Sequence, residues 1–207
     1  MLRTSLCQTV DCNLPRFQHL RQVHFDVQTL FDPQPEMPNT ANALSLFYLP
    51  AVQSITAEID NPATFAWSAY TPNPSNITSL RIHGLREGNL GHILAITKNL
   101  KTMKWQWKYE PILRNETNNN IINPDRIVED LSFVKDTLEN LEISGHVSPD
   151  PELDGDIPEL EIRGSLRLLR RFEKLHELKL FQQFLIGFSP DHDLGSLEDL
   201  MPKMSTI

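Results

Sequence analysis

The stretch Leu100-Lys101-Thr102-Met103-Lys104-Trp105-Gln106-Trp107-Lys108-Tyr109 decides the fold. From Met103 onward apolar and polar residues alternate, with Met103, Trp105, Trp107 and Tyr109 on one side and Lys104, Gln106 and Lys108 on the other. Successive side chains of a β-strand point to opposite faces, so this is a strand with one buried face, and both tryptophans belong to the core. Its first six residues carry a second signal, apolar groups at the first, fourth and sixth positions. The same signal recurs as Leu20-Arg21-Gln22-Val23-His24-Phe25, Val52-Gln53-Ser54-Ile55-Thr56-Ala57 and Ile77-Thr78-Ser79-Leu80-Arg81-Ile82. It returns after the tryptophans as Leu138-Glu139-Asn140-Leu141-Glu142-Ile143 and Leu175-His176-Glu177-Leu178-Lys179-Leu180. First positions lie 32, 25, 23, 38 and 37 residues apart.

One short strand cannot bury its own apolar side, whereas strands stacked on their neighbours share a continuous core. Between the copies lie helical patterns. Residues 89–97 set Leu90, Ile93, Leu94 and Thr97 on one side; residues 124–135 have Pro124 in the first turn, early acids, and Ile127, Leu131 and Val134 in register. Residues 165–172 and 194–200 are expected to be helical as well. Strand and helix alternate, so the expected fold is α/β, with a parallel sheet and helices to one side. In full it is a leucine-rich-repeat-like solenoid: an irregular right-handed arc, strands on the concave side, helices and loops on the convex side. Residues 31–40, 61–75, 115–123 and 147–158 read as surface loops, three of them punctuated by proline. No composition break divides residues 1–207, which read as a single domain of about six irregular repeats. Met201-Pro202-Lys203-Met204-Ser205-Thr206-Ile207 looks like the start of a seventh repeat, and the mean spacing to Met204 is about 31 residues. A solenoid cut there lacks a polar cap, so a longer arc or a truncated gene model is expected.

The composition is that of an ordinary globular chain, with 40% hydrophobic and 22% charged residues. A formal net charge of −8 argues against a nucleic-acid partner. No apolar run approaches a membrane span, and no signal-like apolar stretch follows Met1, so no membrane partner and a cytoplasmic or nuclear location are expected. The 15 prolines outnumber the 8 glycines, consistent with irregular turns between repeats. Cys7 and Cys12 read as ordinary thiols of a reducing compartment, because no second pair completes a zinc set and His19 and His24 are spaced wrongly for one. The sequons at Asn76 and Asn115 read as chance matches.

The repeated LxxLxL copies with helices between them resemble leucine-rich repeats. Leu49-Pro50-Ala51-Val52-Gln53-Ser54-Ile55 is similar to the LPxLxxL strand openings of filamentous-fungal F-box and leucine-rich-repeat proteins. So are residues 83–94 with the following Asn99-to-Trp107 run, the 135–143 segment, and Gly164-Ser165-Leu166. The resemblance covers residues 44–207 well and the first forty loosely. It implies a repeat arc that holds a target protein, as the substrate-recognition part of a ubiquitin-ligase receptor. No F-box is visible, since the first copy already occupies residues 20–25. A cullin-ligase adaptor is therefore an expected partner only if an F-box is present elsewhere in the full-length protein. The repeats also exceed the usual 20–29 residues and mostly lack the Asn or Cys that turns the chain after the strand.

Residues 150–161 are the rival signal. They place oxygens at positions 1, 3, 5 and 7, Gly155 at position 6 and Glu161 at position 12, as a calcium-binding EF-hand loop does. Glu152 at position 3, Pro149 and Pro158, and a strand-like segment where the incoming helix should be all depart from that motif. A solvated acidic loop is the expected reading, and a hydrolase or calcium-binding domain is the alternative function. No HExxH, GxSxG, P-loop or GxGxxG motif occurs; Asp191-His192-Asp193 reads as a solvated triplet. Arg167, Arg170, Arg171 and Lys174 read as the solvated side of a helix.

A non-catalytic protein-interaction scaffold without metal or cofactor is thus expected; any part in ubiquitination would be as a substrate adaptor. Its ligand surface would be the polar positions of successive strands: His24, Glu58, Arg81, His83, Lys104, Gln106, Glu142 and Lys179, flanked by residues such as Thr56, Ser144 and Phe181. Their mixed charges suit a protein surface better than a polyanion.

Overall fold

The structure, a computed structural model, describes residues 17–25, 43–67, 70–74, 76–109, 111, 119–149 and 160–181. Every one of the six copies forms a strand, and each strand begins at the copy's third residue. In chain order the strands are β1 (Gln22–Phe25), β2 (Ser54–Glu58), β3 (Ser79–Gly84), β4 (Thr102–Tyr109), β5 (Ile121–Ile122), β6 (Asn140–Val147), β7 (Glu161–Ile162) and β8 (Glu177–Leu180). Six make one parallel sheet in the order β1-β2-β3-β4-β6-β8; β5 and β7 pair separately, also in parallel. The chain is therefore α/β, with a parallel central sheet and few helices.

The register keeps equivalent residues level. Gln22, Ser54, Ser79, Thr102, Asn140 and Glu177 run across the sheet in one row. Below them the backbone repeats one hydrogen-bond device. The carbonyl of Arg21 accepts from the amides of Gln53 and Ser54, that of Gln53 from Thr78 and Ser79, and that of Thr78 from Lys101 and Thr102. Lys101 and Glu139 continue the series, all at 2.8–3.2 Å. Each copy's second residue thus seats the next copy, so register passes from repeat to repeat.

The fourth and sixth positions of each copy form the floor of the core. In the middle strands Ile55, Ala57, Leu80, Ile82, Met103, Trp105, Leu141 and Ile143 are buried. In the edge strands Val23, Phe25, Leu178 and Leu180 are only partly covered. Trp105 and Trp107 lie in the core as expected, and the Trp105 indole donates to the Leu85 carbonyl at 2.8 Å. Gly84 ends β3 at φ 91°, where a Cβ would stand 2.8 Å from the Ile59 carbonyl oxygen, so the close approach of β2 and β3 requires glycine.

Among the described residues two α-helices cover the buried side: α1 (Leu90–Leu94) and α2 (Pro124–Leu131). α2 starts where its sequence predicts, with the Asn123 side chain accepting from the Arg126 amide at 3.1 Å and Pro124 in the first turn. The helix expected over residues 165–172 is a 3₁₀ segment, Arg167–Arg171. Leu166, Leu169, Phe172 and Leu175 are buried at three-residue steps, and three of them donate their amides to the carbonyl three residues back. A three-residue period fits 3₁₀ geometry, where side chains at i and i+3 eclipse.

The small β5–β7 sheet was not expected, nor was the extension of β6 to Val147, where an acidic loop was expected to begin. Pro72 and Pro74 are buried, although their segment reads as surface loop. The expected helix over 194–200 and the seventh repeat lie outside the described residues.

Candidate functional site

The polar positions of the copies converge on the open face of the main sheet. His24, Thr56, Arg81, Lys104, Glu142 and Lys179 form one row across the six strands. Glu58, His83, Gln106 and Ser144 form the next row across the four central ones. All eight residues expected to bind a partner therefore share a single face. Parallel pairing in constant register makes this unavoidable, because positions of equal phase in neighbouring strands point the same way.

Local contacts divide the face. The Lys104 ammonium holds Glu142 at 3.0 Å, and Lys179 holds Glu177 at 2.7 Å. The hydrogen bond from Lys179 keeps the Glu177 carboxyl below its ordinary range and raises the Lys179 ammonium. His83 Nδ1 lies 2.7 Å from Gln106 Oε1, which joins β3 to β4. Beside this pair opens a bowl of about 410 Å³, bordered by His24, Thr56, Glu58, His83, Lys108 and His146. Lys108 and His146 were not among the expected residues; they lie opposite each other, three residues beyond the six-residue copies, on strands that run on. The alternation through Lys108 was the available signal for the first; nothing local marks the second. Phe181, expected beside Lys179 on the polar face, is instead partly buried against the core. An aromatic ring at the sheet edge gains more from that contact than from water.

The opposite side has its own cavity, about 480 Å³, bordered by Trp67, His92, Ile96, Arg126, Asp130 and Phe133. Phe65 stacks on His92 with centroids 4.7 Å apart. Asp130 is buried and accepts from the Gly88 amide at 3.2 Å. Burial pushes its carboxyl above the usual range, against the lowering effects of the Gly88 amide and the Arg126 charge. The sequence pattern showed none of this, since Asp130 faces a glycine turn forty residues away.

Other candidates stay apart. Arg167, Arg170, Arg171 and Lys174 are exposed. Residues 150–159 of the acidic loop, Cys7, Cys12 and Asp191-His192-Asp193 lie outside the described residues. Glu161, the twelfth residue of that loop, holds the Arg163 guanidinium through both carboxylate oxygens at 2.6 and 2.8 Å. Among the described residues no group of three His, Cys, Asp or Glu could hold a metal ion, and no helix is long and apolar enough to cross a membrane. No family model, curated protein or solved structure matches the chain, so its function is argued from this geometry.

Proposed function

We propose that this chain is a leucine-rich-repeat-like solenoid acting as a non-catalytic scaffold, and that the polar face of its parallel sheet captures a protein partner. One observation carries the reading: six copies of one motif pair in chain order, in constant register, and present one polar row after another. Such a surface has no strand crossing it and grows with each repeat, which suits an extended macromolecular ligand. Its groups are mixed in charge and mostly exposed or half-exposed, the composition of a protein-binding rim. Within a receptor of the F-box type, this face would be the substrate-recognition arc, and a cytoplasmic or nuclear setting would follow.

The test places a photo-crosslinking amino acid at Thr56 or Ser144 on the face, and at Arg170 on the opposite side. Adducts with the same protein partner are expected from the first two positions, reduced by Arg81→Glu, and absent from the third. Equal cross-linking from both sides would sink the proposal.

A further inference from the structure

The chain carries a formal net charge of −8, yet among the described strand residues of this face Arg81, Lys104, Lys108 and Lys179 stand with Glu58, Glu142 and Glu177. The face is mixed in charge with a slight cationic excess, on an acidic protein. Its cations are not equally engaged. Lys104 and Lys179 each hold a carboxylate, whereas the exposed Arg81 guanidinium has no hydrogen bond or ion pair among the described residues. Arg81 also stands directly beside Lys104 in the register of β3 and β4. Like charges at directly opposed positions destabilise a sheet unless an anion lies between them.

A crevice of about 30 Å³ separates these two cations, bordered also by His83, Gln106, Glu142 and Ser144. That is room for a water molecule, which needs about 10–15 Å³ of such space, or for the tip of a carboxylate. Glu142 occupies the Lys104 side, which leaves the Arg81 side open. With the proton of His83 on Nδ1, Gln106 uses its oxygen for that bond and keeps its amide N–H groups as donors. Donors therefore border a crevice whose one carboxylate among the described residues, that of Glu142, is already held by Lys104, while Arg81 has none.

Resting on the protein-binding reading of the face, we propose that the partner presents an acidic side chain, its carboxylate seated between Arg81 and Lys104. The Arg81 fork takes the two carboxylate oxygens, a geometry that lysine cannot reproduce. Glu58, on the neighbouring strand and one row further along, borders the adjoining bowl, which shares His83 and Gln106 with the crevice, and disfavours a second acid there. The recognised feature is thus an isolated acid in an extended segment.

The probe is a serine-rich peptide carrying a single glutamate, titrated into the isotopically labelled protein while amide shifts are followed. Shifts are expected at Arg81, Lys104 and Gln106, with binding weakened about tenfold by Arg81→Gln and partly restored by Arg81→Lys. Arg170→Gln, exposed and away from this face, is expected to leave affinity unchanged. The inference is overturned if the same peptide with lysine in place of the glutamate binds this face as well. It is equally overturned if Arg81→Gln, with its spectrum otherwise intact, binds like the parent. Absence of any shift at millimolar acidic peptide, with cross-linking at Thr56 and Ser144 preserved, overturns the anion subsite and leaves the protein-binding face standing. Absence of both overturns the two together.

Discussion

The guanidinium of Arg86 lies over the indole of Trp107, its Cζ 5.6 Å from the ring centroid. Both side chains are buried, and Arg86 is the only cation among the described residues to be so. It donates to the Asn119 carbonyl at 2.9 Å and to the Ile121 carbonyl at 2.6 Å, and pairs with both oxygens of Glu87 at 3.0 Å. Glu87 in turn accepts from the Asn123 amide. One side chain thereby fastens the end of β3 to the chain entering β5 and α2.

Arg86→Met should cost about 3–5 kcal/mol, because it strands the Glu87 carboxylate and two carbonyls in a buried place. The double variant Arg86→Met/Glu87→Leu should recover part of that loss. Urea denaturation of the three proteins checks it; a loss below about 1 kcal/mol for the single variant would contradict the buried-pair reading.

Gly145 lies against the six-membered ring of Trp107, so close that a Cβ on residue 145 would overlap ring atoms. The indole is fully buried and cannot swing away cheaply. Gly145→Ala should therefore destabilise by about 1–3 kcal/mol. A fall in melting temperature of about 2–4 °C per kcal/mol is the expected readout, and an unchanged melting curve would show that the ring yields.

Asp130 supplies the pH dependence. Burial raises its folded-state pKa above the ordinary 3.8. Between those two values the native chain holds a proton that the unfolded chain has released, so stability falls as pH rises through the window. Asp130→Asn removes this titration. The parent should therefore gain stability relative to the variant as pH drops from neutrality to about pH 4. A difference that is constant across that range in urea titrations would refute the assignment.

Calcium should find no EF-hand here. The carboxylate that would complete the loop, Glu161, is engaged with Arg163 through both oxygens. Calorimetric titration at millimolar calcium is expected to show no binding heat. A saturable exothermic isotherm abolished by Glu161→Gln would restore the calcium reading.

The six motif strands, their order, their shared phase and the polar identity of the open face are legible in the residues alone, as the rows from His24 to Lys179 and from Glu58 to Ser144 demonstrate. They follow from a period of two within each copy and from a motif repeated six times, and both are local properties of the chain. The two-residue strands β5 and β7 escaped notice because so short a run has no measurable period. Phe181 and the 3₁₀ segment were resolved only by what they pack against.

Pairing was likewise invisible. Lys104 and Arg81 look alike as residues, and only the neighbouring strands decide that one holds Glu142 while the other stays open. The burial of Arg86 and of Asp130 depends on loops thirty to forty residues away crossing at one place. The sequence by itself determined where each of the six motif strands begins and which of their faces meets water, because alternation acts residue by residue. Only the tertiary structure decided which charges are buried, paired or left exposed, because those depend on distances between segments that no local pattern encodes.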